Sequence, residues 1–168
     1  MSAPERLQFD LVQVAPWRDS GTVFAERLRA AGWELPAFGH LWSAPSRLAT
    51  SVRPGRWLLA VEPTPSSPPG SLASALEAAV GDAGAVTDLS SARTSWRVAD
   101  PQARAWLSAG CRLDLDPAAF PAGRATVTLI AQVPVMLACL PDAWLFMAPS
   151  SMTEHFDAWL RQAARQGS

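Results

Sequence analysis

Asp114-Leu115-Asp116 sets two carboxylates two residues apart. On an extended segment both project to one side, as a divalent metal or a general acid and base requires. The same residues also read as the entry to a helical turn, with Asp116 as cap and Pro117 at the first helical position. His40 and His155 are the only histidines. One stands beside a turn broken by Pro36 and Gly39 and the other on the exposed side of a capped helix, so solvated or hydrogen-bonded roles fit them better than metal ligation. Cys111 and Cys139 are too few and too far apart for a disulfide framework or a four-cysteine zinc site, and two reduced, semi-buried thiols are expected. Cys111 follows an expected helix end, where the dipole opposes a thiolate.

The remaining polar cluster is Asp88, Ser90, Ser91, Arg93 and Thr94, set at a strand corner within an otherwise apolar region. Either an Asp88–Arg93 pair holds that corner, or Arg93 points outward to a carboxylate or backbone group on a partner. Asp88, Arg93, Thr94 and Asp114 are therefore the candidate interface or structural-corner residues. None of the ten glycines falls in a GxGxxG or GxSxG arrangement, which leaves neither a dinucleotide cradle nor a nucleophile elbow. The fourteen basic residues are all arginine. Without lysine, Schiff-base catalysis, pyridoxal phosphate anchoring and the phosphate-loop lysine are excluded. No catalytic, cofactor-binding or metal residue is expected on this chain.

The elements that would position these groups follow from periodicity and punctuation. Alternation over Leu7–Val14 predicts a half-buried strand. Val23, Phe24, Arg27, Leu28 and Ala31 predict a helix capped at Ser20 or Thr22 and stopped by Gly32. Short strands are expected at His40–Ala44, Leu48–Arg53 and Trp57–Val61, with turns at Pro45-Ser46 and Pro54-Gly55. The segment 63–71 is too rich in proline for helix or ladder and reads as a surface connection; Ser71 then caps a helix over Leu72–Val80. Strands at Ala85–Leu89 and Thr94–Val98 open the second half. A helix starting at Asp100-Pro101 and ending at Gly110 follows, and then a loop over Cys111–Gly123 anchored by Leu113, Leu115 and Phe120. Strands at Ala125–Gln132, Val135–Leu140 and Trp144–Met147 form a meander with turns at Val133-Pro134 and Pro141-Asp142. Ser151-Met152-Thr153-Glu154 has the capping-box pattern and starts a last helix carrying Phe156, Trp159 and Leu160.

These elements make an α+β fold of two fused plait-like halves, antiparallel sheets each covered by helices. The expected organisation is a single domain over 1–168, with halves of about 1–84 and 85–168 joined near the proline-rich loop 63–71. Apolar residues make up 49% of the chain and charged residues 17%, below the roughly 25% typical of soluble domains. A charge-poor surface carrying some of the eight tryptophans suits a buried subunit interface, although each tryptophan taken alone is better placed in the core. A net charge of -1 and arginines scattered singly give no field for nucleic acid. The opening MSAPERLQFD has neither a cationic start nor an apolar run, and no stretch approaches the roughly 20 apolar residues of a membrane span, so the protein is expected to be cytoplasmic.

The stretch Val86–Val98, with Asp88, Ser90, Arg93 and Thr94 in a D-x-S-x-x-R-T corner, resembles the gamma subunits of heterotetrameric sarcosine oxidases. The likeness continues through Asp100-Pro101-Gln102-Ala103-Arg104, Gly110-Cys111-Arg112-Leu113-Asp114-Leu115, Phe120-Pro121 and Gly123-Arg124. Ala131–Val135, the Phe146 strand and Trp159-Leu160 extend it, and Trp57-Leu58-Leu59 resembles the family's W-L-L strand. Arg53-Pro54-Gly55-Arg56 and the proline-rich connection depart from the family pattern. The resemblance implies a fold similar to the folate-binding aminomethyltransferase domains and membership of a complex with alpha, beta and delta subunits. Such complexes serve sarcosine catabolism, demethylating sarcosine oxidatively to glycine and passing the one-carbon unit to tetrahydrofolate. FAD, FMN, NAD, zinc and tetrahydrofolate belong to the partner subunits, and the gamma chain is structural. The alternatives are a stand-alone folate-binding or aminomethyltransferase-like protein, or the same scaffold role in a complex for another N-methyl amine.

Overall fold

A computed structural model describes residues 4–65, 68–100 and 102–166. Its contacts divide the chain into two compact units, one spanning Gln8–Ser91 and the other combining the residues up to Leu7 with those from Ala92 onward. The strand expected over Leu7–Val14 is two strands, β1 (Glu5–Leu7) and β2 (Asp10–Pro16), which join different sheets. Asp10, Leu11 and Val12 are all buried in succession, so alternation on one half-buried strand is not what the pattern encodes.

In the unit Gln8–Ser91, β2 leads through a turn to α1 (Gly21–Ala30). The strands β3 (Leu41–Ala44), β4 (Arg47–Arg53) and β5 (Arg56–Val61), the helix α2 (Ser71–Val80) and β6 (Gly84–Asp88) follow. The sheet order is β3-β4-β5-β2-β6, antiparallel throughout. Phe24 and Leu28 of α1 lie four residues apart, and Leu72, Leu76 and Val80 of α2 repeat at the same interval. Each set forms one stripe that packs on Val12, Val14, Ala49 and Leu59, with Trp33 closing the core. Each such side chain contributes about 1.5–3 kcal/mol of burial. Arg27 and Arg29 lie in the last turn of α1, where positive charge suits the helix dipole, and Gly32, at φ 83°, takes the left-handed conformation that ends it.

Two expectations fail in this unit. The residues expected to open the second half, Ala85–Leu89, lie largely in β6, which pairs with β2 from Val12↔Asp88 to Pro16↔Gly84 and so completes the first sheet. Ser71 is the first residue of α2 and not its cap. Gly70 holds the cap position at φ 86° without a side chain to offer, and Asp10, sixty residues away in sequence, takes over the task. Ser66 and Ser67 of the expected surface connection lie outside the described residues.

The other unit joins β1 to β7 (Arg93–Ala99), α3 (Gln102–Ser108), β8 (Ala125–Ile130), β9 (Val133–Cys139), β10 (Ala143–Pro149) and α4 (Thr153–Gln166). Its sheet runs β1-β7-β10-β9-β8, again antiparallel. Trp96, Val98, Val133, Val135, Leu137, Trp144 and Phe146 present one face to Trp106 and Leu107 of α3 and to Phe156 and Leu160 of α4. Phe120 is buried in this core, with Cys111, Leu113 and Leu115 packed against it, so the loop over 111–123 is anchored as its apolar residues require. Pro101 of the expected helix start lies outside the described residues.

The turn expected at Val133-Pro134 falls two residues earlier. Ala131 and Gln132, at φ 49° and 68°, form a tight two-residue link between β8 and β9, and Pro134 lies within β9 opposite Leu129. Proline is tolerated there because the β9–β10 ladder ends at the Met136↔Met147 pair, leaving no bond for its missing N–H to make. At the last helix a short 3-10 turn occupies Ser150–Met152 and α4 begins at Thr153. The Thr153 hydroxyl donates to the Ser150 carbonyl at 2.8 Å, so Ser151 does not serve as the expected cap.

Candidate functional site

The four residues singled out in the sequence have separate local partners. Asp88 ends β6, and its Oδ1 accepts from the Ser90 hydroxyl at 2.6 Å and the Ser90 amide at 2.9 Å. Those bonds hold its carboxyl below the usual range, against a small opposing effect of burial. Thr94 pairs its hydroxyl with that of Thr153 at 2.7 Å, tying β7 to the start of α4. Arg93 opens β7 opposite Pro149. Asp114 accepts the Asp116 amide at 3.0 Å, while Asp116 accepts from Ala118 at 2.9 Å and carries a turn through its carbonyl to Ala119 and Phe120. The two carboxylates of Asp114-Leu115-Asp116 thus shape consecutive turns. Asp88 and Arg93 fall in different units.

A buried polar junction at Asp10 was missed because its members are remote in sequence. Asp10 is buried. Its Oδ2 accepts the Leu72 amide at 2.9 Å and its Oδ1 the Gly70 amide at 3.0 Å; Oδ1 also lies 2.8 Å from the Ser90 hydroxyl, whose single proton it shares with Asp88. The Leu11 amide donates in turn to Ser90 Oγ at 3.0 Å. One carboxyl group therefore joins β2, the N-terminus of α2 and the chain after β6. The readable signal was an acid inside the apolar run Phe9-Asp10-Leu11-Val12, where an unpaired carboxylate is costly.

A second junction centres on Arg104 of α3. Its guanidinium binds Asp100 at 3.1 Å and the Leu115 carbonyl, and lies 4.9 Å from the ring centre of Trp144. Cys139 is 3.9 Å from the same group. Burial pushes the Cys139 thiol up, and the nearby Arg104 charge opposes that only in part, so the thiol stays protonated at neutral pH. His40 contacts the Phe38 carbonyl at 3.1 Å and His155 the Ala131 carbonyl at 3.3 Å, each within its own neighbourhood. Among the described residues no group of three or more His, Cys, Asp or Glu side chains could hold a metal ion, and no helix is long and apolar enough to cross a membrane.

Each unit has a cavity lined by its own described residues. One of about 320 Å³ lies between Trp33, Arg47 and the first turns of α2; Arg47 stacks over Trp33 at 5.3 Å and donates to the Gly32 carbonyl, which occupies its charge. The other, of about 560 Å³, is bounded by Gly110, Arg112, Thr128, Leu129, Gln132 and Trp159. Seven of the eight tryptophans are buried or partly buried, and Trp17, 56% exposed, is the exception.

The model of the "Sarcosine oxidase, gamma subunit family" matches residues 19–166. Sarcosine oxidase subunit gamma of Corynebacterium sp. (strain U-96) is 34% identical over 117 residues, covering 68% of this chain and 55% of that protein. The Arthrobacter sp. subunit is 36% identical over 106 residues, covering 62% and 51%. This chain therefore spans about half the length of the curated relatives it matches. Among solved structures, a chain of heterotetrameric sarcosine oxidase from Corynebacterium sp. U-96, in complex with pyrrole 2-carboxylate, matches with a TM-score of 0.83 and 27% identity. The match covers 98% of this chain and 84% of that one. The glycine cleavage system aminomethyltransferase T from Bartonella henselae matches with a TM-score of 0.64 and 16% identity over 94% of this chain and 45% of that one. That second likeness identifies the α+β fold alone.

Proposed function

This chain belongs to the sarcosine oxidase gamma subunit family, and on that premise we propose that it is a non-catalytic structural subunit of a heterotetrameric, sarcosine oxidase-like complex. The observation that carries the reading is the match to a chain of such a heterotetramer over 98% of this chain and 84% of that one. In this reading the complex demethylates sarcosine oxidatively to glycine in the cytoplasm and passes the one-carbon unit to tetrahydrofolate. FAD, FMN, NAD, zinc and the folate are held by the alpha, beta and delta subunits, and this chain supplies surface and rigidity.

The polar groups support that division of labour through what they bind. Asp10, Asp88 and Asp114 accept hydrogen bonds from groups of this same chain, and Thr94 and Arg104 bond to others of them, so in the proposal the corner residues serve as supports and not as chemistry. The low charged content and partly exposed aromatic side chains suit a surface that is covered in an assembly.

The test is to tag the chain in its host, purify it gently, and record the flavin absorbance and the masses of the co-purifying proteins. Large yellow partners that turn over sarcosine are expected. A colourless chain that elutes alone and binds tetrahydrofolate tightly would replace this reading with that of an independent folate-binding protein.

A further inference from the structure

Four strands form the edges of the two sheets: β1 and β8 in one, β3 and β6 in the other. Three carry features that discourage pairing with another chain. β1 is three residues long and contains Glu5 and Arg6, β3 has four residues, and β6 begins with Gly84 and ends with Asp88. β8 reads Ala-Thr-Val-Thr-Leu-Ile, six residues without a charge, a glycine or a proline. Edges of that kind are ones that stable monomers blunt.

The register defines what this edge offers. Ile130 and Val133 flank the two-residue turn, so they form a hydrogen-bonded pair, and so do the alternate pairs Thr128↔Val135 and Thr126↔Leu137. The N–H and C=O groups of Ala125, Val127 and Leu129 therefore point away from β9. Cys111 bridges Ile130 and closes one end; among the described residues no strand covers the rest. Val127 and Leu129 are 49% and 57% exposed, and they share a face with the exposed Pro134. At the closed end lies the 560 Å³ cavity, with Leu129 and Trp159 as its apolar walls and Arg112 at its margin. Trp159 is held in place by its stack on Phe156, 5.6 Å between ring centres, and by its approach to Gly110, where an added Cβ would come within 2.6 Å of the indole. Arg112 is exposed, and among the described residues its guanidinium has neither a carboxylate nor a hydrogen-bond partner.

From this juxtaposition we infer that the outer edge of β8 accepts an extended segment of another subunit of the complex. That segment adds a strand through the backbone of Val127, seats an apolar side chain between Leu129 and Trp159, and places a carboxylate on Arg112. The inference rests on the subunit reading above. Backbone bonds supply affinity in such strand addition, while the alternate side chains and the charge select the partner. A second copy of this chain fits less well. Paired antiparallel about Val127, it would bring its Arg124 beside Arg112, and β8 itself has no carboxylate to give.

The test uses the full tagged chain produced with its partner subunits. Val127→Lys and Leu129→Lys, which place a charge at exposed positions of the edge, and Arg112→Glu should each lower recovered complex about tenfold. Arg112→Lys should keep most of it, and the thermal unfolding of the variant chains should stay near that of the parent. Independently of any variant, the amides of Val127 and Leu129 should exchange with solvent far more slowly in the parent complex than in the free chain. A parent complex that forms while those amides exchange quickly, and that tolerates all three variants, overturns the strand-addition site and leaves the subunit reading intact. Association of the chain only with itself also overturns it. A parent chain that recovers no flavoprotein overturns both.

Discussion

The sheet β3-β4-β5-β2-β6 is pinned to its helix α2 by a buried carboxyl group, whereas the sheet β1-β7-β10-β9-β8 is pinned to α4 by stacked rings. In the first, Asp10 collects two backbone amides and a hydroxyl from segments sixty and eighty residues away. In the second, Trp96 meets Phe156 edge-on at 5.0 Å, Phe156 stacks on Trp159 at 5.6 Å, and Phe120 stacks on Trp144 at 5.6 Å. A polar hub concentrates its effect in one residue, because removing it strands several donors at once. An aromatic cluster spreads its effect over area, so its loss scales with the size of the cavity left. The same fold plan, worked twice in one chain, thus weights two kinds of force differently, since Asp157 of α4 also accepts from Arg6 of β1 and from the Trp96 indole of β7.

Phe156→Ala should do the most damage, since the ring is fully buried and touches Trp96, Phe146 and Trp159. A loss of about 4 kcal/mol is expected, read by denaturant unfolding. Asp10→Ala should cost about 3 kcal/mol by stranding the Gly70 and Leu72 amides. Asp10→Asn, which keeps acceptor oxygen, should recover part of that; equal losses in the two variants would show that charge and not hydrogen bonding is what the hub needs. Gly84→Ala should cost about 2 kcal/mol, because the new methyl would lie 2.7 Å from the Phe24 ring and would also meet the Ala15 carbonyl, part of the backbone beside it.

The smallest effect is expected at Asp88, whose folded-state carboxyl lies below its reference value of 3.8. Its contribution is therefore complete above that reference value and is lost as the pH falls through the lower folded value. Because the group is largely solvated, the contribution stays under about 0.5 kcal/mol. Asp88→Asn should remove that part of the acid dependence of thermal unfolding and leave stability at neutral pH almost unchanged.

Local chemistry made much of the fold legible. Gly32 stops α1, Asp116 carries a turn, and the leucines of α2 repeat at the spacing of one helical face. What escaped depends on partners remote in sequence or on unusual turn residues. Nothing in Leu7-Gln8-Phe9-Asp10 marks the point where the chain leaves one sheet for the other, since both halves of the run are equally strand-like. The turn at Ala131-Gln132 lacks the Gly or Asn that normally signals positive φ, and Pro134 next to it drew the boundary to the wrong place. The cap of α2 comes from Asp10, so Ser71 held the local signal and a distant residue held the bonds. At the corner, Asp88 and Thr94 could be recognised as polar anchors, but their partners Ser90 and Thr153 are set by the folded chain.

The central claim is best tested by the native mass and sarcosine turnover of the flavoprotein produced with and without this chain. One assembly containing this chain in stoichiometric amount is expected when it is present, and a smaller or fragmented flavoprotein when it is absent. A flavoprotein of the same mass and turnover in both preparations, with this chain eluting separately, would contradict it.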